Sequence, residues 1–312
     1  MQKEKVFSMM KEPLAEIEKA LYTSFSSNLD VVNELVHTFI GSGGKRIRPI
    51  FHVLTSNMCG YFGDYITQIG VILEYVHTSS LLHDDVIDGA VVRRGRPSAN
   101  ALYGNNITVL SGDYLYTSAF LSIVNLPGKD YAHVLTKAVA AMSEGEILQM
   151  QKTGDLNLSM DMYKKIIYGK TAALFSAACE CSAISGGQSA DLRVELRDYG
   201  CNAGYAFQMK DDLLDYFGTQ EVIGKKPGTD MDERKVTLPV ILLLQELSGA
   251  EKQAFCGLFE SDMDSGSKFK QILDYFEKYN IHQKASEVVM HHAQQALENL
   301  ATFEDSPYKE AM

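Results

Sequence analysis

Positive charge is in short supply in this 312-residue chain: 29 Lys and Arg stand against 40 Asp and Glu, for a net charge of −11. That balance excludes a general nucleic-acid or anionic-membrane surface, although it allows a local cationic pocket for a small anion. Proline is sparse at seven residues, and no Pro/Ser-rich linker or shift in composition marks a domain boundary. Cysteine occurs five times. The close pair, Cys179 and Cys181, would point to different sides of a helix. No pair has zinc spacing, so reduced core thiols in a cytoplasmic protein are expected. The N-terminal MQKEKVFSMMKEPLAEIEKAL has no uninterrupted apolar segment of the kind a signal peptide needs. No stretch approaches the ~20 apolar residues that would span a bilayer, so no transmembrane segment is expected. Strand-like alternation is also missing.

What is present is helical periodicity. Apolar residues recur at helical spacing over about 1–24, 30–40, 45–59, 65–88, 107–125, 130–152, 160–184 and 190–217. Further runs cover about 236–247, 250–260, 267–279 and 281–303. Glycine-rich or polar breaks separate them, and Asp30 and Asp64 are candidate N-caps. With 46% hydrophobic residues the chain can fill a core. The expectation is one all-α domain over 1–312, a bundle of many helices. The longest polar insert, GTQEVIGKKPGTDMDERK at 218–235, is long and charged enough to suggest a functional loop.

One pattern occurs twice. DDVID at 84–88 and DDLLD at 211–215 both read D-D-x-x-D, each at the C-terminal end of a long apolar run. Residues three and four apart share a helix face, so Asp84, Asp85 and Asp88 form one carboxylate cluster, and Asp211, Asp212 and Asp215 another. A single cluster would read as a solvated acidic helix end. Two identical spacings point to a hard cation with oxygen ligands. Mg²⁺ suits them, because it takes one or two carboxylates and fills its shell with water and substrate phosphates. His77 lies two turns before Asp84 and Gln208 three residues before Asp211, on the same stripes.

Basic groups fit a diphosphate. GSGGKRIRP at 41–49 places Lys45, Arg46 and Arg48 at the start of an apolar helix, where backbone amides and cations make an anion site. It lacks P-loop spacing. Arg93 and Arg94 follow Asp88 closely, and Lys170, Thr171 and Lys225 are further candidates. A lysine at 225, after the second cluster, could close over phosphate.

These segments resemble the all-trans isoprenyl diphosphate synthases. The resemblance rests on LLHDDVIDGAVVRRGRP (81–97) and FQMKDDLLDYFG (207–218), with GGKRIRP (43–49), SEGEILQMQ (143–151), GKTAALF (169–175) and GKKPGTDMDERKVTLP (224–239) in family order. It runs from roughly residue 35 to 245. It implies an all-α isoprenoid synthase fold around a deep central cavity, usually in a homodimer. It also implies Mg²⁺-dependent condensation of isopentenyl diphosphate with an allylic diphosphate, with three ions per site.

Carried over residue by residue, Asp84, Asp88 and Asp211 would be the metal ligands, with Asp85, Asp212 and Asp215 supporting them. Arg93, Lys170 and Lys225 would hold the allylic diphosphate. Lys45, Arg48, His77 and Arg94 would hold isopentenyl diphosphate. Gln208 and Thr171 would line the reacting centre, and Lys235 would join from the closing loop. KKPGTD has one more residue between Lys225 and Gly228 than some relatives, which leaves open which lysine closes the site.

Product length is read from the residues upstream of Asp84. Ser79 and Ser80 are small where short-chain relatives often carry an aromatic, Val76 and Leu73 are modest, and DDVID has no insertion. A product longer than geranylgeranyl, octaprenyl-like, is expected, with Phe120 a candidate floor. The other readings are a short-chain farnesyl or geranylgeranyl synthase and a silent subunit of a heteromeric synthase, which would be expected to have lost aspartates. A ferritin-like bundle would need a second Glu-x-x-His beside Glu74 and His77. A cyclase or head-to-head synthase would not need the second, metal-free set of cations.

Overall fold

A computed structural model describes residues 3–93, 95–219 and 227–312; the side chains of residues 3–5 and 7 are not considered. Helices dominate, as the periodicity predicts. In chain order they are α1 (Lys3–Thr23), α2 (Asp30–Gly41), α3 (Ile47–Met58), α4 (Tyr65–Ile87), α5 (Ala99–Tyr103), α6 (Asn105–Val124), α7 (Asp130–Lys152), α8 (Met160–Ile167), α9 (Ala173–Ser185) and α10 (Ala190–Phe217). After the insert come α11 (Thr229–Asp232), α12 (Leu238–Glu246), α13 (Gly249–Glu260), α14 (Ser265–Lys278), α15 (Ile281–Asn299) and α16 (Pro307–Glu310). Among the described residues the one sheet is a hairpin of β1 (Val92–Arg93) and β2 (Arg96–Pro97), with Arg93 opposite Arg96.

The chain divides into two compact units. The first comprises Met1–Val139, Leu174–Gly200 and Asn299–Met312. Its core holds Leu35, Ile69, Ile72, Tyr75 and Phe175, each less than 2% exposed. Alpha-4 runs through this core, which is why its apolar residues are not confined to one stripe. Gly70 lets α1 approach α4 closely: a Cβ there would lie 2.7 Å from the Ile17 side chain. The second unit comprises Ala140–Ala173 and Cys201–Glu298. Met209, Leu213 and Tyr216 of α10 pack there with Ile241, Leu243, Phe255 and Phe276, all buried.

Three expectations change. The run 160–184 is not one helix: α8 and α9 are separated by a π-helical turn, Tyr168–Ala172. Asp64 occupies the N-cap position of α4, but Asp30 lies one residue inside α2, whose N-cap is Leu29; neither cap is closed by a side-chain hydrogen bond. The third concerns spanning length. Alpha-6 carries a single charged residue, Asp113, and is long and apolar enough by composition to cross a membrane, although only about a third of it is buried. Its hydroxyls and amides kept it from reading as an apolar run. Its inner side, including Gly112, Leu115, Ala119 and Ile123, is buried, and it packs along α4. All five cysteines are free thiols, as expected, and Cys179 and Cys181 are both buried.

Candidate active site

In the first unit, α4 ends at the first aspartate motif, with Asp88 as its C-cap. The three carboxylates do not form one cluster on one face. Successive residues turn about 100° apart on a helix, so Asp85 faces inward and is fully buried, while Asp84 is half-buried and Asp88 exposed. Asp85 accepts a hydrogen bond from Arg93 Nε at 2.5 Å. The hairpin that carries Arg93 is tied back to the helix end: Ala90 N–H donates to the Asp85 carbonyl at 2.9 Å, and Ser98 Oγ to the Ala90 carbonyl at 2.6 Å. Asp85 Oδ2 is buried with no hydrogen-bond partner. Arg94 lies outside the described residues.

The GGKRIRP segment turns into α3 through two left-handed residues, Gly43 (φ 77°) and Arg46 (φ 47°). Lys45 is exposed and Arg48 half-buried. The Arg48 guanidinium lies over the Phe175 ring, 5.2 Å from its centre. His77 is half-buried on α4. Below it, Ser79 and Ser80 part company. Ser79 is fully buried and its hydroxyl donates to the Gly112 carbonyl of α6 at 2.7 Å. Ser80 donates to the His77 carbonyl of its own helix at 2.8 Å. Leu73 and Val76 are fully buried. Tyr116 on α6 lies beside Ser79, and burial with the nearby Asp84 charge pushes its phenol up to about 12. Phe120 stacks on Tyr116, 6.3 Å between ring centres.

The second unit carries the other motif on α10. Asp211 is exposed, whereas Asp212 and Asp215 are buried. Asp212 sits at the centre of a relay: Thr171 Oγ1 donates to Gln208 Oε1 at 2.6 Å, Gln208 Nε2 to Asp212 Oδ1 at 2.9 Å, and Tyr163 Oη to Asp212 Oδ2 at 2.5 Å. Desolvation raises the Asp212 carboxyl to about 6, against the pull of these donors. The same burial and the Asp212 charge raise the Tyr163 phenol well above its ordinary value. Asp215 accepts from the Asp230 N–H at 2.9 Å, and its carbonyl from Gly228 N–H at 2.7 Å, which fixes the end of the polar insert to α10. Lys225 lies outside the described residues. Lys235 is ion-paired with Glu233 at 2.5 Å.

Lys170 and Thr171 owe their placement to glycine. The π-helical turn that bears them lies against α7 on one side and α10 on the other. A Cβ on Gly145 would come within 2.7 Å of Gly169 Cα, and one on Gly204 within 2.5 Å of Ala172 Cα. Lys170 Nζ is thereby brought to Glu146 at 3.4 Å and Gln149 at 3.3 Å. Neither partner is marked by its own sequence context, though both lie in SEGEILQMQ at i, i+3. Tyr163, seven residues before Lys170, is also found only through its contact. A methyl at Gly169 would meet the Ala141 carbonyl at 2.4 Å, backbone against backbone. Gly169→Ala is therefore expected to cost about 1–3 kcal/mol of stability and to depress activity through the displaced Lys170 and Thr171. Calorimetry and steady-state assay of the variant check both; an unchanged melting temperature would mean the turn relaxes freely.

Among the described residues, no three His, Cys, Asp or Glu side chains converge closely enough to hold an ion by themselves. Mg²⁺ retains water and phosphate oxygens and takes few protein ligands, so it does not require such a cluster. The donor set is made of hard carboxylate oxygens, and one buried oxygen of Asp85 lacks a partner.

An all-α chain with two D-D-x-x-D helix ends, each holding its inner aspartates buried, has the isoprenoid synthase fold. Over 99% of its length it superimposes on a decaprenyl diphosphate synthase from Rhodobacter capsulatus, with a TM-score of 0.92, 34% identity and 95% of that chain covered. It also matches a polyprenyl synthase from Caulobacter crescentus complexed with calcium and isoprenyl diphosphate, with a TM-score of 0.91 and 32% identity over 99% of this chain and 94% of that one. In sequence it is 35% identical to the octaprenyl diphosphate synthase of Escherichia coli (strain K12), across 99% of this chain and 95% of the relative. The polyprenyl synthetase family model matches residues 29–276, and the chain belongs to that family.

Proposed function

We propose that this enzyme condenses isopentenyl diphosphate with an allylic diphosphate, head to tail, to an all-trans polyprenyl diphosphate longer than geranylgeranyl and octaprenyl-like. The observation that carries it is the division of labour within each aspartate motif: inner carboxylates held by protein donors, outer ones turned to solvent. In this reading Asp84, Asp88 and Asp211 are ligands to Mg²⁺, three ions per site, and Asp85, Asp212 and Asp215 support them in part through water. Mg²⁺, when bound, neutralises charge on the departing pyrophosphate. Arg93, Lys170 and Lys225 hold the allylic diphosphate. Lys45, Arg48, His77 and Arg94 hold isopentenyl diphosphate without metal, and Lys235 joins from the closing loop. Thr171 and Gln208 line the reacting carbon.

As the allylic C–O bond breaks, its electron pair leaves with pyrophosphate, whose growing charge the cations stabilise. The isopentenyl double bond attacks the allylic cation, and the proton lost from the new chain goes to the pyrophosphate. Apolar side chains along α4 and α6 keep water from the cation. The whole chain acts as one polyprenyl synthase domain, working as a homodimer in the cytoplasm. Five free thiols fit a reducing compartment. The long-chain relatives and the small Ser79 and Ser80 support the product length.

Purified enzyme with Mg²⁺, labelled isopentenyl diphosphate and farnesyl diphosphate should give a ladder of products ending well above geranylgeranyl. A stop at farnesyl or geranylgeranyl would retain the chemistry and overturn the length. No product from any allylic starter would favour the silent-subunit reading.

A further inference from the structure

Arg46 lies between two of the cations assigned to isopentenyl diphosphate, but its side chain turns into the protein. It is 8% exposed, while its neighbour Lys45 is exposed. Its backbone is left-handed (φ 47°, ψ 38°), a conformation that is unfavourable for a residue with a Cβ. The guanidinium shows what holds it there. Nη1 donates to Glu74 Oε2 at 2.6 Å, and Nε to Glu18 Oε1 at 2.5 Å. Nη2 donates to Glu18 Oε2 at 3.2 Å and to the Ile40 carbonyl at 2.9 Å. One side chain thus ties the turn before α3 to α1, α2 and α4. Glu74 is 4% exposed, so its charge depends on this partner. Glu18 is held in place because Ile17 beside it packs on Gly70 of α4.

We propose that Arg46 is a positioning residue for the metal-independent diphosphate subsite, which rests on the assignment of Lys45, Arg48 and His77 to isopentenyl diphosphate. Lys45 and Arg48 flank Arg46 on the turn and the first helical residues of α3. His77 lies one turn beyond Glu74 on α4, on the same helical face. The three assigned residues therefore come from two elements whose mutual placement is set by the Arg46–Glu74 pair. Alpha-1 enters the same latch through Glu18, so a helix with no residue assigned to either substrate tunes one of them. Lysine cannot replace Arg46, because a single ammonium does not reach two carboxylates and a carbonyl in a fixed fork.

The test is steady-state kinetics of Arg46→Lys, Glu18→Gln and Lys45→Ala, each well below its melting temperature, with the KM of both substrates measured. Arg46→Lys should raise the KM for isopentenyl diphosphate about tenfold, the scale of a misplaced binding group, and leave the allylic KM within about twofold. Glu18→Gln, whose side chain is 39% exposed, keeps the Glu74 pair and should raise it roughly threefold; it carries the test if Arg46→Lys does not fold. Parallel rises in both KM values, or a lower melting temperature with unchanged KM, would reduce Arg46 to a stabilising residue and overturn the proposal. If Lys45→Ala leaves the isopentenyl KM unchanged, the subsite assignment fails and the proposal falls with it. If Lys45→Ala raises it and both latch variants do not, the proposal alone falls.

Discussion

Asp88→Asn is expected to lower kcat/KM about 10³-fold at saturating Mg²⁺, the scale of removing one charged stabiliser of a leaving group, while the protein melts no earlier than wild type. Both halves follow from where the side chain lies. Asp88 is exposed at the C-cap of α4, where a carboxylate opposes the helix dipole, so removing its charge costs the fold nothing and relieves about 0.3–1 kcal/mol. Asp85→Asn behaves differently. Asp85 is fully buried against Arg93, and neutralising it leaves the guanidinium facing an amide. Because the Arg93 side chain is 27% exposed, the cost is about 1–3 kcal/mol rather than the full penalty of a buried orphan charge. Asp85→Asn should therefore lose melting temperature by several degrees as well as activity, since the hairpin bearing Arg93 loses its charged tie and keeps only the bonds through Ala90 and Ser98. Calorimetry together with Mg²⁺ titrations of initial rate separates the two. Full activity in Asp88→Asn would remove it from the ligand set, and equal destabilisation by both variants would contradict the division between inner and outer aspartates.

That division marks the boundary of what the residues alone reveal. Two D-D-x-x-D repeats at the ends of apolar helices are legible because spacing and period are local properties. Which aspartate of each trio turns inward depends on what the helix packs against, and Arg93, Tyr163 and Gln208 are partners that only the folded chain selects. The break between α8 and α9 was hidden for a similar reason: the helical apolar period continues across it, and the π-helical turn follows from the tight approach of Gly145, Gly169 and Gly204. Alpha-5, α11, α16 and the two-residue strands are too short to show a period. Arg46 is the sharpest case. In sequence it is one of three cations in an anion-binding segment, and only its left-handed backbone and two carboxylate partners, Glu74 buried and Glu18 half-buried, separate it from Lys45 and Arg48.

On the proposed reading, product length depends on the seam between α4 and α6, and Ser79→Phe is expected to shorten the product to the farnesyl–geranylgeranyl range. Ser79 donates to the Gly112 carbonyl across that seam, where the His83 side chain already crowds the glycine: a Cβ on Gly112 would lie 2.4 Å from it. A phenyl ring cannot enter it and must turn toward Tyr116, whose phenol lies beside the serine. There it adds a third ring to the Tyr116–Phe120 stack, close below Asp84 and hence close to the end of the chain where each new unit is added. A growing chain meets that wall after few condensations. Ser79→Ala removes the hydrogen bond to Gly112, at about 1 kcal/mol, without adding bulk, and should leave length unchanged. Phe120→Ala should move the distribution upward, since it removes a ring from the far side of the same stack. Dephosphorylated products of the three variants, resolved by chain length, decide the matter. An unaltered ladder from a folded, active Ser79→Phe enzyme would mean that the growing chain does not pass Ser79. Ser80, bonded to its own helix at His77, would then be the next position to fill.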